Sequence, residues 1–195
     1  MKTPTFQVGD GARPDPAAPI RRGELAIRKT AISEVQSFVS AHYLRKRPAI
    51  VVMALEILRN QSPVGMVVYS LPPRECATRF GGVTWELARL YLTDDVPKNS
   101  ESWAIAKSVW FIRKQHPEVK FLVSYADPSA GHSGTIYRAA NWRFDGMTDA
   151  GRKTPRCDYV DANTGKKYGR RGNVPESATI IRVPRVSKYR FVFVL

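Results

Sequence analysis

Residues 83–102 read VTWELARLYLTDDVPKNSES, and residues 121–142 read FLVSYADPSAGHSGTIYRAANW. In the first stretch Trp85, Leu87, Arg89 and Tyr91 alternate with Glu86, Ala88, Leu90 and Leu92. A period of two with bulky residues on both sides marks a strand whose two faces are both in use. An acidic turn containing Pro97 follows, and a helix is expected from Ser102 to about Gln115 with Ser100 as its N-cap. The second stretch reads as a strand ended by Asp127-Pro128, a glycine-flanked loop and a short helix. Strands that alternate with helices in this way need a sheet covered by helices.

The flanking sequence extends that sheet. A short strand at 25–28 leads to a helix beginning near Thr30 or Ser33. Its apolar face is expected to carry Ile32, Val35, Phe38 and Val39, extended by His42 and Tyr43, with Pro48 as the stop. AIVVMALEIL (49–58) is too apolar for a strand with a wet face and reads as central. RNQSP turns the chain, and VGMVVYSL (64–71) returns as its hairpin partner. PPRECATRFGG (72–82) reads as a polar loop, while RFDGM (143–147) and YRFVFVL (189–195) supply the remaining strands. The expected class is α/β (α+β), with a mixed, mostly antiparallel sheet flanked by helices. Residues 1–22 are expected to form a flexible leader. Residues 23–195 are expected to form one domain with a basic insertion at about 150–185.

Composition narrows the function. Hydrophobic residues at 43% and charged residues at 25% exclude wholesale disorder. No apolar run approaches the roughly 20 residues of a bilayer-spanning helix, so no membrane role is expected. Cys76 and Cys157 are too few for a disulfide framework and point to a reducing, cytosolic setting. His42, His116 and His132 have no ligand spacing among them, so no metal is assigned. The net charge is +14, from 31 Lys+Arg against 17 Asp+Glu. Eleven of those basic residues lie between Arg152 and Arg190, opposed there only by Asp158, Asp161 and Glu176. Such a surplus in one segment fits a polyanionic partner, nucleic acid ahead of membrane surface, or else a solubilising surface.

From Ala26 to Met147 the layout resembles the Gcn5-related N-acetyltransferase fold, in which the fourth and fifth strands splay apart around the donor. WELARLYLTDDVPKNSES with LVSYADPSAGHSGTIYRAANW resembles more narrowly the bacteriophage Mom family. The resemblance implies an enzyme that converts adenine in phage DNA to a carbamoylmethyl adenine and so shields it from restriction. It also implies double-stranded DNA as partner and the cytoplasm of the infected bacterium as the place of action. An ordinary acyl-CoA-dependent N-acyltransferase and a non-catalytic DNA-binding protein are the alternatives; oligomeric state is not readable.

Particular residues carry these expectations. Arg89, mid-strand in an apolar run, needs a carboxylate, a phosphate or several carbonyls, because an unpaired buried charge is costly. It either pairs with Glu86 or Asp127 or holds a donor by its planar fork. Asp127 at a strand end is either a turn former or the acceptor of the adenine amine proton. Tyr137 is either core or, as the resemblance implies, the acid that protonates a leaving group. His132 sits between glycines that permit close approach to a ligand. His42 and Tyr43 either complete an apolar face or overhang the acceptor, where Tyr43 would stack on a flipped adenine. Asn99, Ser100 and Ser102 at a helix start are either cap residues or donor contacts. Lys166, Lys167, Arg170 and Arg171 are the expected DNA-backbone contacts.

The donor follows from TDDVPKNSES. Acetyltransferases of the resembling fold cradle a pyrophosphate in a glycine-rich loop at this point. Here there is no glycine, Asp94 and Asp95 repel phosphate, and Pro97 lacks an N–H. The family's expected product has the atoms of a glycyl group, joined to the amine through the methylene instead of the carbonyl, so that a rearrangement would follow an initial acyl transfer. A glycine-derived donor, such as glycyl-tRNA with its polyanionic body, is therefore favoured over acetyl-CoA.

The basic segment generates the first prediction. DNA affinity will fall with a log–log salt slope of about −0.9 per phosphate neutralised. Changing Lys166, Lys167, Arg170 and Arg171 to Ala will flatten that slope in a salt titration without altering the melting curve.

Overall fold

Strand β4 (Thr84–Leu92) lies near the middle of a seven-stranded sheet. The computed structural model describes residues 24–195 except 41, 43, 45, 155 and 169–172. The expected leader therefore lies outside the described residues, as do Tyr43, Arg170 and Arg171. In chain order β1 (Leu25–Lys29) leads through a short 3-10 turn into α1 (Val35–Val39). The hairpin β2 (Val51–Arg59) and β3 (Ser62–Ser70), then α2 (Arg74–Phe80), precede β4. After β4 come α3 (Ser100–Gln115), β5 (Phe121–Ala126), α4 (Thr135–Ala139) and β6 (Arg143–Met147). Strands β7 (Cys157–Asp161), β8 (Lys167–Tyr168) and β9 (Ile180–Pro184) form a separate small sheet before β10 (Tyr189–Val194) rejoins the large one.

The large sheet has the order β1-β2-β3-β4-β5-β10-β6. Every pair is antiparallel except β4 with β5, which the α3 crossover makes parallel. AIVVMALEIL is central as expected: residues 53–58 are buried between β1 and β3. One face packs on α3 through Ala104, Ile105, Val109 and Ile112, and on Tyr137 of α4. The other face holds Val35 and Val39 of α1 against Ala54, Met66 and Val68, and Cys76 of α2 against Val123 and Val192.

Four local expectations are corrected. The first helix ends at Val39: Val35 and Val39, with Phe38 packed against them, cover Ala54 and Met66 as expected, but Ile32 stays exposed and His42 lies beyond the helix end. PPRECATRFGG contains α2: Pro73 caps it, Glu75 and Arg79 suit its dipole, and Gly81 at φ +66° closes it. The Pro and Gly that suggest a loop are here the start and stop of a helix. Ser100 is the first residue of α3, with Asn99 at φ +70° as its N-cap. The Ser100 hydroxyl donates to the Pro97 carbonyl and does not cap the helix. Finally, the alternation along β4 breaks at Ala88, where Val68 pairs with Arg89 and Tyr69 with Leu87. That bulge puts Trp85, Leu87, Leu90 and Leu92 on the α3 face and leaves Arg89 on the opposite side, with Glu86.

Gly134, at φ +80°, opens α4 where Phe191 of β10 leaves no room for a side chain; a Cβ would be driven into the Phe191 ring. Gly134→Ala is therefore expected to cost about 2 kcal/mol or more through overpacking and backbone strain. A lowered urea midpoint at unchanged m-value will show it.

Candidate active site

Strands β4 and β5 pair only at their first three positions, Thr84–Phe121, Trp85–Leu122 and Glu86–Val123. Beyond these, β4 stays with β3 and β5 stays with β10, so the two diverge as a fork. Leu87 and Ser124 would form the next pair. Instead the Ser124 hydroxyl lies 2.8 Å from the Leu87 carbonyl oxygen and 2.8 Å from the Tyr137 hydroxyl. Tyr137 is held there by Phe191, stacked at 5.1 Å, and by Trp142 at 5.6 Å. A cavity of about 600 Å³ occupies the fork.

The cavity has two kinds of wall. On the α3 and α4 side it is lined by Leu87, Ala126, Ile136 and Tyr137, with Asp94 and Glu101 at its rim. On the opposite side it is lined by His42, Glu86, Arg89, Tyr125, His132 and Lys188. The Arg89 guanidinium donates to the Lys46 carbonyl from Nε (3.0 Å) and Nη2 (2.8 Å), and to Ala88 from Nη1 (2.6 Å). It thereby ties the chain after α1 across β4. Burial raises the Glu86 carboxyl above its ordinary range, with Arg89 and Lys188 pulling part of the way back. Burial also raises the Tyr125 hydroxyl. His42 is lowered to about 4 by burial, and by the charges of Arg89 and His132. The Leu44 amide donates to its Nδ1 at 3.1 Å, so the proton of the neutral ring sits on Nε2.

Four of the residues singled out in the sequence meet here: His42, Arg89, His132 and Tyr137 all line the cavity. Asp127 follows β5 at its edge, where its carboxylate accepts from the Ser129 amide (3.0 Å) and hydroxyl (2.5 Å) and pairs with Lys188 Nζ at 2.9 Å. Burial pushes this carboxyl up, but those hydrogen bonds and the Lys188 charge outweigh it and hold the group below the usual range. Ser100 and Ser102 turn their hydroxyls to the Pro97 and Asn99 carbonyls and stay outside the cavity lining, as does Asn99. Lys166 and Lys167 lie on the small sheet, where Lys167 pairs with Asp158 at 3.3 Å. Glu86, Tyr125 and Lys188 are added by the structure. Glu86 carried the same signal as Arg89, a charge in an apolar strand; Lys188 carried none. Among the described residues no cluster of His, Cys, Asp and Glu could hold a metal, and no helix is long and apolar enough to cross a membrane.

The model of the Mom protein family matches residues 24–195. The chain belongs to the Mom family. Methylcarbamoylase Mom of Escherichia phage Mu is 44% identical over 65 residues, which are 33% of this chain and 27% of that protein's length. Among solved structures, the ribosomal-protein-S5-alanine acetyltransferase of Vibrio fischeri is similar at a TM-score of 0.53 and 11% identity, over 92% of this chain and 97% of its own. A Bacillus subtilis acetyltransferase in complex with coenzyme A is similar at 0.51 and 10% identity, over 88% of this chain and 98% of its own. The Mom chain thus has the acetyltransferase-like fold, and its fork is the splay expected of that fold.

The displaced histidine sets a pH limb on stability. Unfolded, His42 binds a proton near pH 6.5; folded, it resists protonation down to about pH 4. The unfolded chain therefore binds more protons in that interval, and stability is lost as pH falls through it. Denaturant unfolding will show this limb in the wild type and a shallower one in His42→Gln.

Proposed function

We propose that this protein is a transferase that modifies the exocyclic amine of adenine in phage DNA. The product would be a carbamoylmethyl adenine that protects the DNA from restriction in the cytoplasm of the infected cell. The relative from phage Mu, a methylcarbamoylase by name, supports the reaction class. The observation that carries the reading is the two-walled cavity, with a proton acceptor on one side of the fork and a proton donor on the other.

The adenine amine is a poor nucleophile with a delocalised lone pair, so the step needs a base near the nitrogen. Glu86 is half-buried in the acceptor wall, and its raised pKa makes it a stronger base than an ordinary carboxylate. The amine nitrogen attacks the glycyl carbonyl carbon, its proton passes to Glu86, and the departing ribose oxygen of the tRNA takes a proton from the Tyr137 hydroxyl across the fork. The glycyl amide so formed then isomerises, its methylene carbon replacing the carbonyl on the adenine nitrogen, to the carbamoylmethyl product. His42, with its proton on Nε2, and Arg89 orient the acceptor and stabilise charge that builds on the donor. Asp127 contributes through Lys188, which it pairs with at the cavity wall.

A glycine-derived donor, carried as glycyl-tRNA, suits the rim of Asp94 and Glu101, which disfavours a pyrophosphate. Acetyl-CoA is the second reading, favoured by the coenzyme A bound in the Bacillus subtilis neighbour. Labelled glycine fed to expressing cells separates them, since its carbons will appear in the adenine adduct only under the first.

Mass spectrometry of nucleosides from DNA of expressing cells tests the function itself. The wild type will give a deoxyadenosine adduct. Glu86→Gln and Tyr137→Phe, both close to isosteric, will lower its yield by about a hundredfold or more while DNA binding and melting hold. DNA without an adduct would refute the reading.

A further inference from the structure

After β6 the chain leaves the large sheet and returns to it only at β10. Strands β7, β8 and β9 between those points form their own antiparallel sheet in the order β8-β7-β9. Among the described residues, none of this sheet joins any buried apolar cluster. Its attachment to the body includes the ion pair from Arg156 to Glu75 of α2, at 3.0 Å. Three short strands with neither face built into a core bury little apolar surface, and an occupant on one face would add what they lack.

The register shows which face. Tyr159 lies directly opposite Tyr168 on one side and Arg182 on the other. Directly opposed residues in antiparallel strands project to the same face. Tyr168, Tyr159 and Arg182 therefore form one row across all three strands. Lys166 Nζ sits 5.2 Å from the centroid of the Tyr168 ring. Arg182 is exposed and both tyrosines keep part of their surface in solvent. Both carboxylates of β7 are engaged with other partners, Asp161 on the same face as the row. Asp158 points to the other face, where it pairs with Lys167 and Arg185. Asp161 accepts from the Asn163 amide at 3.1 Å and the Thr164 hydroxyl at 2.7 Å, within its own turn.

Aromatic rings on an open sheet, with cations beside them, match the chemistry of unpaired nucleotides. A base stacks on the ring, and the cation meets the phosphate. Duplex DNA hides its base faces, so charge alone would bind it and the tyrosines would add nothing. The surrounding segment is strongly cationic, with eleven basic residues against three acidic ones from Arg152 to Arg190, which suits a strand of phosphates. We propose that the Tyr168–Tyr159–Arg182 face is a stacking platform for unpaired nucleotides of a DNA strand. This deepens the DNA-modification reading and rests on it for the choice of DNA. A base taken out of the duplex leaves unpaired nucleotides for such a platform to hold.

Fluorescence anisotropy with a labelled short oligothymidine, and with a duplex of equal length, tests the platform on the full chain. Leucine at both positions (Tyr159→Leu with Tyr168→Leu) keeps apolar bulk in the strands and removes the flat ring. It will weaken oligothymidine binding about tenfold or more, and duplex binding by less than about threefold. Phenylalanine at both positions keeps the ring and will bind as the wild type does. The proposal is overturned if the leucine variant binds oligothymidine at full strength, or loses equally on the duplex. A phenylalanine variant as weak as the leucine variant, or oligouridine bound more tightly than oligothymidine, also overturns it. Failure of the parent reading looks different. Ring-dependent oligothymidine binding with no adduct on cellular DNA would refute the reaction and leave the platform standing, whereas an adduct with indifferent tyrosines would do the reverse.

Discussion

The Ser124 hydroxyl sits where a fourth pair between β4 and β5 would otherwise continue to close the sheet. By taking the Leu87 carbonyl itself, it satisfies a buried acceptor that the departing strand would leave orphaned. The two strands separate at that point with no unpaired Leu87 oxygen, and the same hydroxyl fixes Tyr137 at the apex. The cavity, its two walls and the placing of Glu86 opposite Tyr137 all depend on this separation. A continuous ladder would bury the same residues in a closed sheet and leave nothing for a substrate to enter.

The bulge at Ala88 complements the fork. Without it, strict alternation would turn Arg89 toward α3, into a wall of Trp85, Leu87, Ile105 and Val109. The extra residue lets Leu90 and Leu92 take the apolar side and sends the guanidinium to the polar one. There it satisfies its donors on the Lys46 and Ala88 carbonyls and lowers the pKa of its neighbours. The cost of a half-buried arginine is offset in part by these carbonyl acceptors, and its charge acts on both Glu86 and His42.

Much of this was legible before any coordinates. Residues 51–59 announce a central strand because they are apolar on both sides, and α3 announces itself through length and period. The β4–α3–β5–α4 order and the strings around it were enough to place the chain in its fold and family. The site was half legible: Arg89 stood out as a charge inside an apolar strand, His132 as a histidine between glycines, and His42 and Tyr137 as polar groups on or beside helices. What stayed hidden depended on non-local geometry. A bulge changes which face a residue occupies and leaves no trace in composition. Glu86 gains its importance from partial burial and from the charges of Arg89 and Lys188, and Lys188 is distant in sequence. The helix α2 hid because proline and glycine mark helix ends and loops alike. The small sheet hid because its strands are short, charged and interrupted.

Strand β10 has a consequence for the order in which the molecule is assembled. It lies between β5 and β6, though both precede it in the chain and the whole inserted segment separates it from β6. During synthesis, β1 to β5 can close their pairings as they emerge, but the outer arm of the fork waits for β10. Until it docks, Phe191 cannot support Tyr137, and Lys188 cannot reach Asp127. The long loop between β6 and β10 makes this the pairing of greatest entropic cost on that side of the sheet, and hence a slow one. The fork thus stays half-built until β10 arrives. Closure of the cavity in this architecture comes as a single late event, without a gradual rise as the polypeptide lengthens.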